Sequence, residues 1–300
     1  MLHPNQLLFI KMKDIKLLKQ LYKINSKSGQ EKQIVDFIVD YVSTRYPSVL
    51  IEMDKSNNIY LTKGKTDMYP CVVSHLDQVG NYKGRISIFR QDNIIIGIGE
   101  HGKQVNLGAD DKNGIWVALE LLRTEQFLKV AMFTGEEIGC QGSRVADMSF
   151  FNDVKFVVQC DRKHRGDFIH TAGAVTLCDP SWPSKELKDK YGYTNTFGLM
   201  TDVQALKKNG LNVACCNVSC GYYNSHLDTE YTNIEELINC LNFVREIVRT
   251  VPHTPHENKS VSYNYYPQGQ GSYKNGSTYY PRDWDDYDDE YGGYWAGMYR

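Results

Sequence analysis

Apolar residues recur along this chain at two spacings, and the change from one to the other outlines its architecture. Leu17, Leu18, Leu21 and Tyr22 fall on one face of a helix over 14–23. A second helix is predicted after Ser28-Gly-Gln-Glu31, carrying Ile34, Val35, Phe37, Ile38, Tyr41 and Val42 at helical spacing and stopped by Tyr46-Pro47. Short β-prone runs at 49–52 and 59–62, joined through Lys55-Ser-Asn-Asn58, predict one hairpin, and 86–89 with 94–98 around Gln91-Asp-Asn93 predict another. From Cys71 onward, strands and helices alternate. Strands are predicted at 70–74, 130–134 and 156–160, with a helix over 113–122 and a short one near Ser143. The order continues with 167–171, helices at 184–191 and 202–208, a strand at 211–218 and a helix at 234–248. Such alternation predicts an α/β fold with a mostly parallel central sheet flanked by helices on both faces. It fills residues 1–251 as a single domain. Residues 252–300 are rich in Tyr, Gly, Asp, Asn and Pro and lack aliphatic periodicity, so a disordered tail is expected there.

Composition adds exclusions. The 300 residues carry a formal charge of −2, with 41% hydrophobic and 23% charged residues, enough to bury a real core. Near-neutral charge leaves no electrostatic footprint for nucleic acid. No apolar run approaches the roughly 18 residues that span a bilayer. Leu7-Leu-Phe-Ile10 is too short for the apolar region of a signal peptide and precedes the basic stretch 11–16, so a cytoplasmic location is expected. The eight cysteines lie mostly inside apolar runs, with no Cys-x-x-Cys pair among them, and are expected to be reduced core thiols.

The chemistry lies in five separated clusters: His75-Leu-Asp77, Asp110-Asp111, Glu136-Glu137, Asp161 and His226. The first four follow, or lie close to, predicted strand ends or a helix start, where open α/β sheets place their sites. Two metals about 3.5–4 Å apart need a ligand that bridges them, and a carboxylate does so readily. Two imidazoles and several carboxylates allow each metal one His, one private carboxylate and a share of a third. A carboxylate that is not a ligand remains to carry a proton, and an adjacent Glu pair suits that division of labour. Asp77, two residues past His75, is placed to orient its imidazole. Singly, each cluster has a plainer explanation. Asp110-Asp111 would cap the helix that follows, a role assigned to Asp111 in any case. Glu136-Glu137 would be a solvated turn and Asp161-Arg162 a surface ion pair. All five together in this order outweigh those alternatives. His101, His164, His170, His253 and His256 have no partner at motif spacing and read as loop or tail histidines.

Taken together, Ser74-His-Leu-Asp77, Gly108-Ala-Asp-Asp-Lys-Asn-Gly114, Phe133-Thr-Gly-Glu-Glu-Ile-Gly139, Cys160-Asp161 and Ser225-His226 resemble the peptidase T and glutamate-carboxypeptidase-like family of two-zinc exopeptidases over about residues 24–251. The resemblance implies that His75 and Asp161 hold one zinc, Glu137 and His226 the other, and that Asp110 bridges them. It implies Glu136 as general base and then general acid, Asp77 as the orienter of His75, and Thr201-Asp202 as a turn near the substrate. One departure is large. Family members insert a lid domain of about a hundred residues, a typical domain size, between the Asp161 and His226 positions, and the interval here is too short for it. A lidless member is expected, as in bacterial leucyl-aminopeptidase-like two-zinc proteins. The lid histidine that polarises the scissile carbonyl then needs a local substitute, for which Tyr222, Tyr223, His164 and Arg162 are candidates.

The expected activity is hydrolysis of an amide bond in short peptides, in the manner of an aminopeptidase or tripeptidase. It would use two divalent metal ions, zinc or else manganese or cobalt, since these ligands accept all three. The same core would also serve an N-acyl amino acid deacylase or a carboxypeptidase. An alternative of another class is a non-catalytic binding or scaffold module presented through its tail; the intact Glu136 argues against it.

Overall fold

The computed structural model describes residues 15–80 and 82–257; the stretches before and after them, including most of the predicted tail, lie outside the described residues. Helix α1 (15–21) is followed by α2 (Lys32–Arg45), whose buried Ile34, Val35, Ile38, Tyr41 and Val42 form the stripe read from the sequence. The central sheet contains β1 (Leu50–Met53), β2 (Ile59–Lys63), β3 (Tyr69–His75), β7 (Leu128–Phe133), β8 (Val154–Arg162), β9 (Asp167–Ala172), β10 (Val175–Thr176), β11 (Thr194–Gly198) and β12 (Cys215–Ser219). Its order is β1-β2-β7-β3-β8-β12-β9-β10, with β11 beside β9. Strands β7, β3, β8 and β12 run parallel at the centre, and antiparallel pairs flank them.

Strict alternation along the central strands divides the core in two. Val72, Val130, Met132, Val158 and Cys216 face α1, α2, α3 (Ala109–Thr124) and α7 (Ile234–Thr250). Cys71, Val73, Ala131, Phe133, Val157 and Cys215 face the other way, against Phe150 and Phe151 of a 3-10 turn and Val203 and Leu206 of α6 (Asp202–Lys208). Helices therefore cover both faces. Two shorter helices, α4 (Gln141–Arg144) and α5 (Lys185–Tyr191), complete the set among the described residues.

Three features depart from the linear reading. The 86–98 hairpin does not join the central sheet. Its strands β4 (Ser87–Gln91) and β5 (Ile94–Ile98) form a second sheet with β6 (Gln104–Val105), β13 (Tyr222–Tyr223) and β14 (Tyr231–Asn233), which holds the His226 loop against the segment before α3. His170, read as a loop histidine, lies within β9, buried, with Nδ1 3.0 Å from the Thr196 carbonyl oxygen. Its strand was legible, but the edge strand β11 that supplies its partner was not. Residues 252–257, which composition assigns to the tail, pair with the chain before β12: Ala214 N–H donates to Thr254 O and His256 N–H to Asn212 O. All eight cysteines are buried and unbridged. No described helix is long and apolar enough to cross a membrane. The interval from Asp161 to His226 forms β9 to β12, α5 and α6 of the central sheet and its cover, and then β13 of the second sheet.

Two substitutions test how stability is divided. Met132→Ala, at a fully buried position of the central parallel strands, should cost about 2–5 kcal/mol. Asn233→Ala, which removes the Oδ1 acceptor for the Glu235 and Glu236 N–H groups at the start of α7, should cost about 1 kcal/mol. Urea unfolding midpoints at constant slope would check both.

Candidate active site

The site lies at the carboxyl ends of the parallel strands. His75 is the last residue of β3 and pairs in register with Phe133, the last of β7, so the Glu136-Glu137 turn emerges beside it. Val73 pairs with Gln159 of β8, and carrying that register two residues forward sets Asp161 next to His75. Asp110 arrives from the start of α3. Only His226 comes from a loop far along the chain, at φ +68°.

These side chains converge. Asp110 is central: its Oδ1 lies 3.1 Å from His75 Nε2 and its Oδ2 3.3 Å from His226 Nε2. Asp161 Oδ1 is 3.4 Å from His75 Nε2, and Glu137 Oε1 is 3.0 Å from His226 Nε2. Ligand atoms of His75, Asp110 and Glu137 lie within 4.8 Å of one another, as do those of His75, Asp111 and Asp161. Asp111 is nevertheless committed elsewhere, since its oxygens accept the backbone N–H groups of His75 (3.1 Å) and Gly114 (2.9 Å). The arrangement is thus two imidazole–carboxylate pairs sharing one carboxylate, oxygen by oxygen. His75 is 1% exposed at its side chain and His226 24%, so the site is sealed on the sheet side and opens beside His226.

Local sequence explains this placement. Gly108 has φ +62°, and a Cβ there would strike the Gln78 amide and the Lys112 ammonium. A Cβ at Gly114 would overlap the Asp111 carboxylate. Both glycines of the Gly108–Gly114 motif therefore hold the chain where Asp110 faces the histidines. Asp77 does more than sequence spacing suggests. His75 Nδ1 lies 3.1 Å from the Asp77 carbonyl oxygen and 3.4 Å from its carboxylate. That carboxylate also accepts the N–H groups of Glu136 (2.9 Å) and Glu137 (3.2 Å) and the Ser28 hydroxyl (2.7 Å). One buried carboxylate thereby positions both an imidazole and the glutamate turn.

Several polar neighbours were not singled out in the sequence. Gln159 donates to Asp161 Oδ2 (3.0 Å) and accepts from Thr201 Oγ1 (2.6 Å). This links the Thr201-Asp202 turn to Asp161. Asn217 Oδ1 accepts the Asp161 N–H (2.9 Å). Glu230 accepts three N–H groups from the segment carrying Asp110. Gln159 and Asn217 interrupt apolar strands, and a polar residue in a buried strand is the signal that could have found them. Of the four carbonyl-polarising candidates, Tyr223 donates to Glu236 Oε2, Arg162 pairs with Asp167, and the His164 ring lies 5.0 Å from that of Tyr223. Tyr222 is buried on β13.

Charge follows geometry. Burial disfavours the Asp110 carboxylate, but hydrogen bonds from His226 and His75 outweigh it and hold its pKa well below the usual range. Burial likewise opposes charge on His226, yet Asp110 and Glu137 push its pKa up to about 11. Burial, reinforced by Asp161, Asp202 and Glu137 against the opposing pull of His75, raises Glu136 well above an ordinary carboxyl. Asp202, fully buried, is pushed up to about 7 chiefly by desolvation.

The backbone places this chain among solved peptidase structures. It is similar to a tripeptidase from Staphylococcus aureus subsp. aureus Mu50 (13% identity, TM-score 0.67, covering 79% of this chain and 97% of that one). It is also similar to the aminopeptidase PepT from Bacillus cereus ATCC 10987 (15%, 0.61, 79% and 97%). A third is an aminopeptidase from the archaeon Desulfurococcus kamchatkensis (14%, 0.61, 80% and 95%). No protein-family model matches the sequence, and no curated protein matches it. The fold is that of these tripeptidase and aminopeptidase structures, in line with the motif resemblance to peptidase T.

In chelator-treated protein, the raised His226 pKa has a definite sign. A folded value near 11 above an unfolded one near 6.5 means the imidazolium stabilises fully below about pH 6.5 and loses that contribution as pH rises toward 11. The stability gap between wild type and His226→Ala should therefore narrow between pH 7 and 11. Urea midpoints across that range would measure it; a constant gap contradicts the assignment.

Proposed function

We propose that this chain is a metal-dependent exopeptidase that hydrolyses an amide bond of short peptides, releasing an amino-terminal residue. The observation that carries it is Asp110, whose two oxygens each face an imidazole, one from the first motif and one from the last. The donor set fits a pair of divalent cations. Three carboxylates this close need positive charge among them, and the two imidazoles direct Nε2 inward. His75 and Asp161 would hold one cation, Glu137 and His226 the other, with Asp110 shared. Imidazole and carboxylate ligands suit zinc and also accept manganese or cobalt. When bound, such a pair supplies Lewis acidity and lowers the pKa of water toward neutrality.

The chain's own residues supply the remaining steps. Glu136 belongs to neither ligand group, and beside the proposed ligand Glu137 it is the carboxylate placed to take a proton from the attacking water and return it to the departing amine nitrogen. Asp77 fixes where that carboxylate starts, through the Glu136 N–H, and keeps the His75 ring aligned. The likeness to a tripeptidase and to aminopeptidases supports short peptides as the substrate class.

Purified protein reconstituted with zinc should release amino acids from a panel of di- and tripeptides and lose that activity to a chelator. Glu136→Gln should lower kcat by about 10²–10⁴-fold with metal content unchanged, whereas Glu137→Ala or His226→Ala should lose one metal. Full activity in Glu136→Gln, or equal metal content in all three variants, would refute the roles. Turnover of N-blocked substrates alone would move the reading to a deacylase.

A further inference from the structure

One carboxylate near the site belongs to neither proposed metal group and takes all its side-chain hydrogen bonds from the backbone that carries Asp110. Glu230 is fully buried, four residues past His226. Its Oε2 accepts the N–H of Leu107 (2.9 Å) and of Ala109 (3.0 Å), and its Oε1 that of Asp110 (3.4 Å). Three consecutive-segment donors converging on one carboxylate fix the backbone on which Asp110 rides. The same stretch is tied a second time. Gln104 Nε2 donates to Glu230 O (3.0 Å), Asn106 Nδ2 to Leu227 O (3.3 Å), and Asn106 Oδ1 accepts the Gly108 N–H (2.8 Å). β14 then pairs with β5 from Tyr231 onward. The loop that these ties restrain needs restraint: Asn224 and His226 both have positive φ, and Leu227 is 48% exposed.

We infer that Glu230 is a positioning residue that fixes His226 relative to the shared carboxylate Asp110, and so sets the affinity of the second cation position. The inference rests on the two-metal reading above. It differs from a general stabilising role in one respect. Glu230 joins the His226 loop to the Asp110 segment, whereas His75 and Asp161 are fixed by β3 and β8 without it. Loss of the carboxylate should thus unbalance the two positions rather than weaken both equally.

The test is titration of zinc alone into chelator-stripped full-length protein. Wild type should bind two ions. Glu230→Gln, which turns one acceptor into a donor facing N–H groups, should bind the second ion about 10–100-fold more weakly, the range for changes to groups that orient ligands, and the first with a distinctly smaller loss, since there only the shared Asp110 is disturbed. In a His226→Ala background, where one position remains, adding Glu230→Gln should weaken zinc binding less than it weakens the second site of the otherwise wild-type chain, because only the shared Asp110 is disturbed. Saturating zinc should restore kcat at unchanged KM. Should Glu230→Gln not fold, Glu230→Asp, which keeps the charge on a shorter arm, should show a smaller loss in the same direction. Two unaltered affinities, or equal loss at both positions, would overturn the inference while leaving the two-metal reading intact. A wild-type chain that takes up no zinc would overturn that reading and the inference with it.

Discussion

The site is organised around a crowding of like charge: Asp110, Asp161, Glu137 and Glu136 share one buried space with two imidazoles. Bringing several carboxylates out of water and against one another is unfavourable unless positive charge is interleaved. Asp110 shows the solution most directly, since each of its oxygens has its own histidine. Every element near the site serves that arrangement. The parallel strands deliver His75, Asp161 and the glutamate turn to one edge, two glycines let α3 begin where Asp110 can reach them, and the second sheet brings His226 from the opposite side.

Buried polar side chains away from the ligands hold the arrangement in place. Asp77, Asp111 and Glu230 each accept two or more hydrogen bonds, at least one from backbone N–H, and none is spent on the surface. Lys112, fully buried, donates to Ile24 O, Gln78 Oε1 and Leu107 O, with its pKa lowered by desolvation to about 7. It joins the end of α1, the β3 loop and the α3 entry. Charged groups in such positions destabilise unless fully partnered, and these are. These contacts tie the backbone segments that carry the clustered carboxylates and imidazoles to one another.

The division of work between fold and site also accounts for low identity alongside a shared backbone. Apolar strand positions tolerate exchange among Val, Ile, Cys and Met at similar volume.

Residue periodicity determined most of the elements, because burial on a strand or helix face imposes a spacing that any apolar residue satisfies. It determined the α/β class for the same reason, and the five acidic and histidine clusters were legible because few residue types can act as metal ligands or proton carriers. Periodicity could not reveal that the 86–98 hairpin leaves the central sheet, since a hairpin reads alike in either sheet. Nor could it find β11 or β14, whose short, part-exposed runs have no pattern of their own. The hold of Asp77 on the glutamate turn, and the roles of Gln159, Asn217 and Glu230, were decided only by the tertiary structure. A hydrogen bond to backbone 120 residues away leaves no trace in sequence spacing, and it exists only once the two sheets have brought His226 and Asp110 face to face.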